Sequence, residues 1–192
     1  ATAACNVTRV VVADCVFRNN SIVSRFQPND ARGGALSVRA SGSEVNRALF
    51  VELTRVNFSD NAVRTGHEPN DPVDLESGVW GGAFAAESSG ALHATVVNAR
   101  FERNAIAFHA PDSPSDVDVS IADAHGGAVA LMNAASLNVR DSLFARNTLS
   151  GVLGKSAFGG AIWVYTIGRT QVQLASISAR IVLVLPLFLR FL

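Results

Sequence analysis

Four copies of Phe-x-x-Asn alternate strictly with four copies of Gly-Gly-Ala-apolar, and no other feature of the chain restricts its fold so much. The first motif lies at Phe17–Asn20, Phe58–Asn61, Phe101–Asn104 and Phe144–Asn147, in steps of 41, 43 and 43 residues. The second begins at Gly33, Gly81, Gly126 and Gly159. A fixed period in this range marks stacked, like units, each too small to bury its own apolar face.

Aligned on the Phe, the repeats form columns. Seven before it stand Val10, Val51, Ala94 and Leu137, and five before it Val12, Leu53, Val96 and Val139. Two before it stand Cys15, Val56, Ala99 and Ser142, and two after the Asn stand Ile22, Val63, Ile106 and Leu149. The position six before the Phe is mostly polar: Val11, Glu52, Thr95 and Asn138. Three and five after each first Gly come Leu36 and Val38, Phe84 and Ala86, Val129 and Leu131, Ile162 and Val164. Apolar residues at every second position describe strands with one inward face. Each repeat therefore predicts at least two short strands, with a third after the Asn.

These columns predict an all-β, right-handed, single-stranded parallel β-helix of four to five coils. The repeat domain is expected over 1–180, with units near 10–32, 33–80, 81–125 and 126–158 and a degraded one at 159–180. In the degraded unit, counting 18 from Gly159 places Ile177 at the Phe position and Arg180 at the Asn position. Phe17, Phe58, Phe101 and Phe144 are expected to stack in the interior. Asn20, Asn61, Asn104 and Asn147 are expected to form a ladder, since an amide both donates and accepts. Asn also tolerates the left-handed backbone of a sharp corner. The pairs Gly33–Gly34, Gly81–Gly82, Gly126–Gly127 and Gly159–Gly160 suit corners needing positive φ or close backbone approach. Segments Arg64–Val79 and Phe108–Ala124, rich in Pro, Asp, Ser and Gly, read as loops pushed out from one edge.

Alternating GGA[ILVF] and FxxN resembles the repeat of the chlamydial polymorphic outer-membrane protein family, from Val10 to Val164. The resemblance implies a pectin-lyase-like β-helix exposed on the cell surface and acting in adhesion, with a separate C-terminal β-barrel as its anchor. Only 28 residues follow Val164. The chain is thus expected to be a piece of a longer cell-surface or secreted protein. Its partner is expected to be a glycan or a cell-surface receptor.

Charge excludes other classes. The chain carries 16 basic and 16 acidic residues, so bulk charge gives no reason to expect a nucleic-acid partner. The apolar tail at 181–192, IVLVLPLFLRFL, is shorter than the roughly 20 residues that span a bilayer. Membrane association is expected only through a missing or truncated C-terminal region.

A carbohydrate-active enzyme is the alternative to a non-enzymatic module, because parallel β-helices also host polysaccharide lyases and hydrolases. Its carboxylates would come from the loop holding Asp112, Asp116, Asp118 and Asp123, beside His125. Asp116 and Asp118 are the candidate ligands for a hard cation. The solvated acidic loop is the reading preferred here, and the same holds for Asp71, Asp74 and Glu76. His67, His93, His109 and His125 show no metal-ligand spacing, and no catalytic motif or cofactor is expected. Trp80, Trp163 and Tyr165 could stack on sugars, with Trp163 and Tyr165 outward, although such residues more often cover an edge. Cys5 and Cys15 could form a disulfide or be buried as small apolar side chains.

Overall fold

The computed structural model describes residues 7–24, 31–40, 48–66, 78–109, 123–150, 157–166 and 170–179. Every strand pairing among them is parallel, and no helix occurs among them. Four sheets form, each built by adding one repeat to the last. The architecture is the stacked β-solenoid that the columns call for.

The third coil shows the course of one turn. Asp123–His125 leads into the Gly126–Gly127 corner, and Val129–Arg140 follows as the long strand. A corner at Asp141–Ser142 precedes Leu143–Ala145, which holds Phe144. Asn147 turns the chain again into Thr148–Ser150. The strand before each double Gly (Ala31–Arg32, Gly78–Trp80, Asp123–His125, Ala157–Phe158) was not expected. It corrects the loop limits at both ends. Residues 64–66 and 78–79 belong to strands, as do 108–109 and 123–124, so the undescribed insertions are 67–77 and 110–122. A buried apolar column marks that strand two residues before each first Gly, with Ala31, Val79 and Ala124 in it.

Register follows the repeat step. Val10, Val51, Ala94, Leu137 and Val172 are successive partners in the long sheet. Phe17, Phe58, Phe101 and Phe144 lie one above another, with ring centroids 4.8, 4.9 and 4.7 Å apart and planes within 10° of parallel. Those distances equal the spacing of hydrogen-bonded strands, so the backbone ladder sets the ring stack. Phe58 and Phe101 are wholly buried beside Leu53, Val96 and Phe84. Phe101→Ala is expected to cost about 3–5 kcal/mol, the transfer and cavity terms of a core aromatic. A loss under about 1 kcal/mol in urea unfolding would place this ring outside the core.

The fifth coil is shifted from the sequence count. Phe144 pairs with Ala179, and Val139 with Leu174, so Ile177 falls in the Cys15 column and not the Phe column. The distance from Gly159 to Ala179 is 20 residues, as from Gly81 to Phe101. A slip of two residues keeps every inward side chain inward, which is why the apolar pattern did not expose it.

The corners are also assigned differently. Left-handed backbone occurs not at the ladder asparagines but one residue earlier, at Asn19, Asp60, Arg103 and Arg146. A second left-handed column holds Asp14, Arg55, Asn98, Asp141 and Ser176. Such φ values are unfavourable for residues with a side chain. Except at Arg146 and Ser176 of the last turns, these amides are tied to the next coil, Arg55 N–H to Val97 O at 3.0 Å and Arg103 N–H to Ala145 O at 3.0 Å. Among the double glycines only the first is left-handed, with φ between 61° and 70°. The second is needed for space.

Candidate functional site

Because the Gly-Gly corner is sharp, the outer face of the strand before it meets the outer face of the strand after it. The residue just before the first Gly is Arg32, Trp80 and His125 in successive coils. Opposite them, the outward positions four after the first Gly hold Ser37, Ala85, Ala130 and Trp163. The outward positions six after it hold Arg39, Glu87, Met132 and Tyr165. Small residues in the middle row leave a hollow running along the coil axis, lined by Arg32, Trp80, Ala85, Glu87 and Met132 among others.

Large side chains fill one end of this hollow. Trp163 leans across Ala130, with its ring 4.2 Å from His125 and 5.1 Å from Trp80 two coils away. Trp80 and His125 stack at 4.3 Å. Tyr165 lies parallel to Trp163 at 5.8 Å. At the other end the Arg32 guanidinium sits 5.6 Å from the Trp80 ring centroid and pairs with Glu87, which Arg39 also reaches at 3.1 Å. Trp163 is 3% exposed and His125 6%, while Tyr165 is 38% exposed. The cluster is a small aromatic core outside the coil, open to solvent at Tyr165. The indole N–H groups of Trp80 and Trp163 are buried and have no protein acceptor.

The chain matches no protein-family model, no curated protein and no solved structure. What the structure itself shows is the stacked parallel sheets that the repeated motifs build.

Burial dominates the electrostatics of this cluster. Desolvation lowers the His125 pKa from the ordinary 6.5 to about 4, so the ring is neutral near pH 7. A general base works best with a pKa near the operating pH and a path to substrate. His125 is 6% exposed and packs between the rings of Trp80 and Trp163. The linkage sign is definite. Below about pH 6.5 the unfolded chain binds a proton that the folded chain refuses until about pH 4, so stability falls as pH falls through that window. The size is about 3 kcal/mol. His125→Phe is expected to lose about 2–3 kcal/mol less than the parent between pH 7 and 4.5 in urea titrations. Equal losses in both proteins would mean an ordinary, accessible histidine. Asp14, Asp60 and Glu102 do not confuse this comparison. Their carboxyls are held below the usual range by hydrogen bonds from Arg55, Arg103 and Arg100, and they titrate alike in both proteins.

The other candidates fall as follows. Phe58, Phe101, Phe144, Asn61 and Asn104 are buried in the core, Phe17 and Asn147 are half-buried and Asn20 is exposed, and the double glycines form the corners. Asp116 and Asp118 lie outside the described residues, as do Asp112, Asp71, Asp74, Glu76, His67 and Cys5. Among the described residues no three His, Cys, Asp or Glu side chains come together as a metal site. His93 points outward, stacked on Phe50 at 4.7 Å, with Nδ1 2.9 Å from Ser136 Oγ. Cys15 is half-buried, its thiol bonded to Ala13 O at 3.0 Å. The tail 181–192 is outside the described residues, and no helix among those described is long and apolar enough to cross a membrane.

Sequence reasoning singled out Trp80, Trp163 and Tyr165 but not their union with His125 and Arg32. A signal did exist. Alignment on the first Gly puts Arg32, Trp80, His125 and Phe158 in one column, all of them planar groups.

Proposed function

We propose that this chain is a non-enzymatic module of a cell-surface or secreted protein, a rigid coil presenting insertions for adhesion or matrix contact. The observation that supports this reading is where the repeats differ in length. Residues 67–77 and 110–122 enter between the strand after the Asn and the strand before the double Gly. Shorter segments, 25–30 and 151–156, occupy the same place in the first and fourth coils. The columns on either side keep their register in spite of the insertions. A scaffold that absorbs length change at one edge can vary a binding surface without disturbing its core. Tyr165, 38% exposed at the open end of the aromatic cluster, offers a ring face on which a sugar can stack. A glycan or glycosylated receptor is therefore the partner put forward, and the polymorphic outer-membrane repeat family is the kinship put forward.

The test is binding to a glycan panel and to cultured cells. Shortening 67–77 and 110–122 to the lengths found in the first and fourth coils is expected to preserve the unfolding transition and to weaken binding at least about tenfold. Full binding by the shortened protein would remove the loops from the reading.

A further inference from the structure

The hollow beside the Gly-Gly corner is built from three successive coils. Ala85 and Ala130 form its floor, and Arg32, Trp80, Glu87 and Met132 wall it. Both alanines have a paired strand on each side, so the floor lies within the stack. The enclosed part measures about 10 Å³, the room of one water molecule. Water is nevertheless a poor occupant, since it needs two to four polar partners. Two methyl groups make the floor, and their strands spend their backbone groups on each other. The nearest wall is a thioether, with the Met132 sulfur 4.0 Å from Arg32 Nη1.

Above this apolar floor the surroundings are polar and incomplete. Trp80 forms one wall, and Trp163 leans over Ala130 at the closed end. Both indole N–H groups are buried without a protein acceptor, and Trp163 is 3% exposed. Buried indole donors normally find a partner. Glu87 lines the same space, and its carboxylate, which already accepts from Arg32 and Arg39, has lone pairs for a further donor. The occupant that fits is apolar and small at its tip, with an acceptor and a donor directly behind. A hydroxyl or carboxylate at the tip would give up water for a floor that offers no hydrogen bond. An acetamido group meets all three conditions, with methyl, carbonyl oxygen and N–H on adjacent atoms.

We propose that this hollow is the subsite for the acetamido group of an N-acetylhexosamine. The methyl enters over Ala85 and Ala130, and the unbranched Met132 side chain adjusts its wall. The carbonyl supplies the acceptor that the indole wall lacks, and the amide N–H donates to Glu87. The sugar ring stays at the mouth. There the Arg39 side chain, 56% exposed, has guanidinium donors besides the Nε that lies 3.1 Å from Glu87, and these serve ring hydroxyls. Such donors favour a sugar over an acetylated lysine, whose alkyl stem offers them no acceptor. The inference rests on the glycan-binding reading above, and adds the sugar class and its place outside the insertions.

The experiment titrates the full chain with N-acetylglucosamine trisaccharide and N-acetylgalactosamine, followed by tryptophan fluorescence and calorimetry. Cellotriose, with hydroxyls in place of the acetamido groups, and N-acetyl-lysine methylamide are the comparison ligands. At least one acetylated sugar is expected to bind and to shift the tryptophan emission, and cellotriose to bind at least about tenfold more weakly. Ala85→Leu fills the hollow from its outward face and is expected to abolish binding. Trp80→Phe keeps a ring but removes the donor, and is expected to weaken binding about tenfold. Should Ala85→Leu fail to fold, Trp80→Phe decides. No binding of either acetylated sugar at about 10 mM overturns the proposal. So does equal binding of cellotriose, binding of the lysine derivative alone, or undiminished binding by the folded variants. Cell binding that survives Ala85→Leu but is lost when the insertions are shortened leaves the surface role standing and ends this inference alone.

Discussion

Gly82→Ala is expected to prevent the coil from folding, while Gly160→Ala, one methyl added at the equivalent place two coils on, leaves the monomer as stable as before. The added Cβ at Gly82 would stand 2.1 Å from Gly127 O and 2.8 Å from backbone atoms of Ala105. None of these is the movable end of a side chain. Relief requires the second and third coils to part, which breaks the amide bonds from Gly82 to Gly126 O and from Ala83 to Ala128 O. Overpacking a core with a methyl usually costs about 1–3 kcal/mol because side chains give way. Here only backbone is available, and a loss above about 5 kcal/mol is expected, comparable to the whole stability of a domain. At Gly160 the space is open and φ is not positive, so the alanine is expected to be neutral or to stabilise by up to about 1 kcal/mol through the unfolded state. Circular dichroism and urea unfolding at low protein concentration check both. A folded Gly82→Ala protein of near parental stability would mean that the coils do not approach as described.

The same contrast explains what was legible in the sequence. A column is readable when stacking demands one residue type. The double Gly, the Phe and the ladder Asn are of that kind, because a near neighbour of identical shape sits 4.7–4.9 Å away in each ring pair. The buried columns of Val51 and Leu53 were readable by alternation alone. Three things were not. The strand before the double Gly is only two or three residues long, too short for a period to show. The fifth coil slipped by two residues because parity, not identity, holds its Val172 and Leu174 inward. The outer cluster joins Arg32, Trp80, His125 and Trp163, four different side chains whose shared property is planarity, so a search for recurring identity passes over them. The left-handed corners escaped for a related reason. Asp14, Arg55 and Asn98 share a backbone conformation but no side-chain chemistry, and what sustains them is an amide bond to the next coil.

Asn104→Ala is expected to cost about 4–6 kcal/mol, more than truncating the neighbouring Phe101 ring, because it strands partners as well as opening a cavity. Asn104 is fully buried. Its Oδ1 accepts from the Asn61 backbone N–H at 3.1 Å and from Asn61 Nδ2 at 2.9 Å. Its Nδ2 donates to Asn147 Oδ1 at 2.9 Å and to Phe58 O at 3.0 Å. Alanine leaves the Asn61 N–H with no acceptor and removes this donor from the Phe58 carbonyl, and each buried group so stranded costs about 1–3 kcal/mol. Asn61 Nδ2 and Asn147 Oδ1 each keep a second partner, Phe17 O and the Asn104 N–H, which bounds the loss. Asn147→Ala serves as the control. It lies at the last turn, only half-buried, where water can replace what is removed, and a smaller loss is expected. Asn104→Asp separates shape from hydrogen bonding. The carboxylate would turn an acceptor toward Phe58 O and Asn147 Oδ1, so burial and these neighbours raise its folded pKa above the unfolded value. The variant is then most stable below about pH 4 and loses stability as pH rises from there, opposite in sign to the effect at His125. A urea midpoint for Asn104→Ala within about 1 kcal/mol of the parent would show that the ladder contributes geometry without energy.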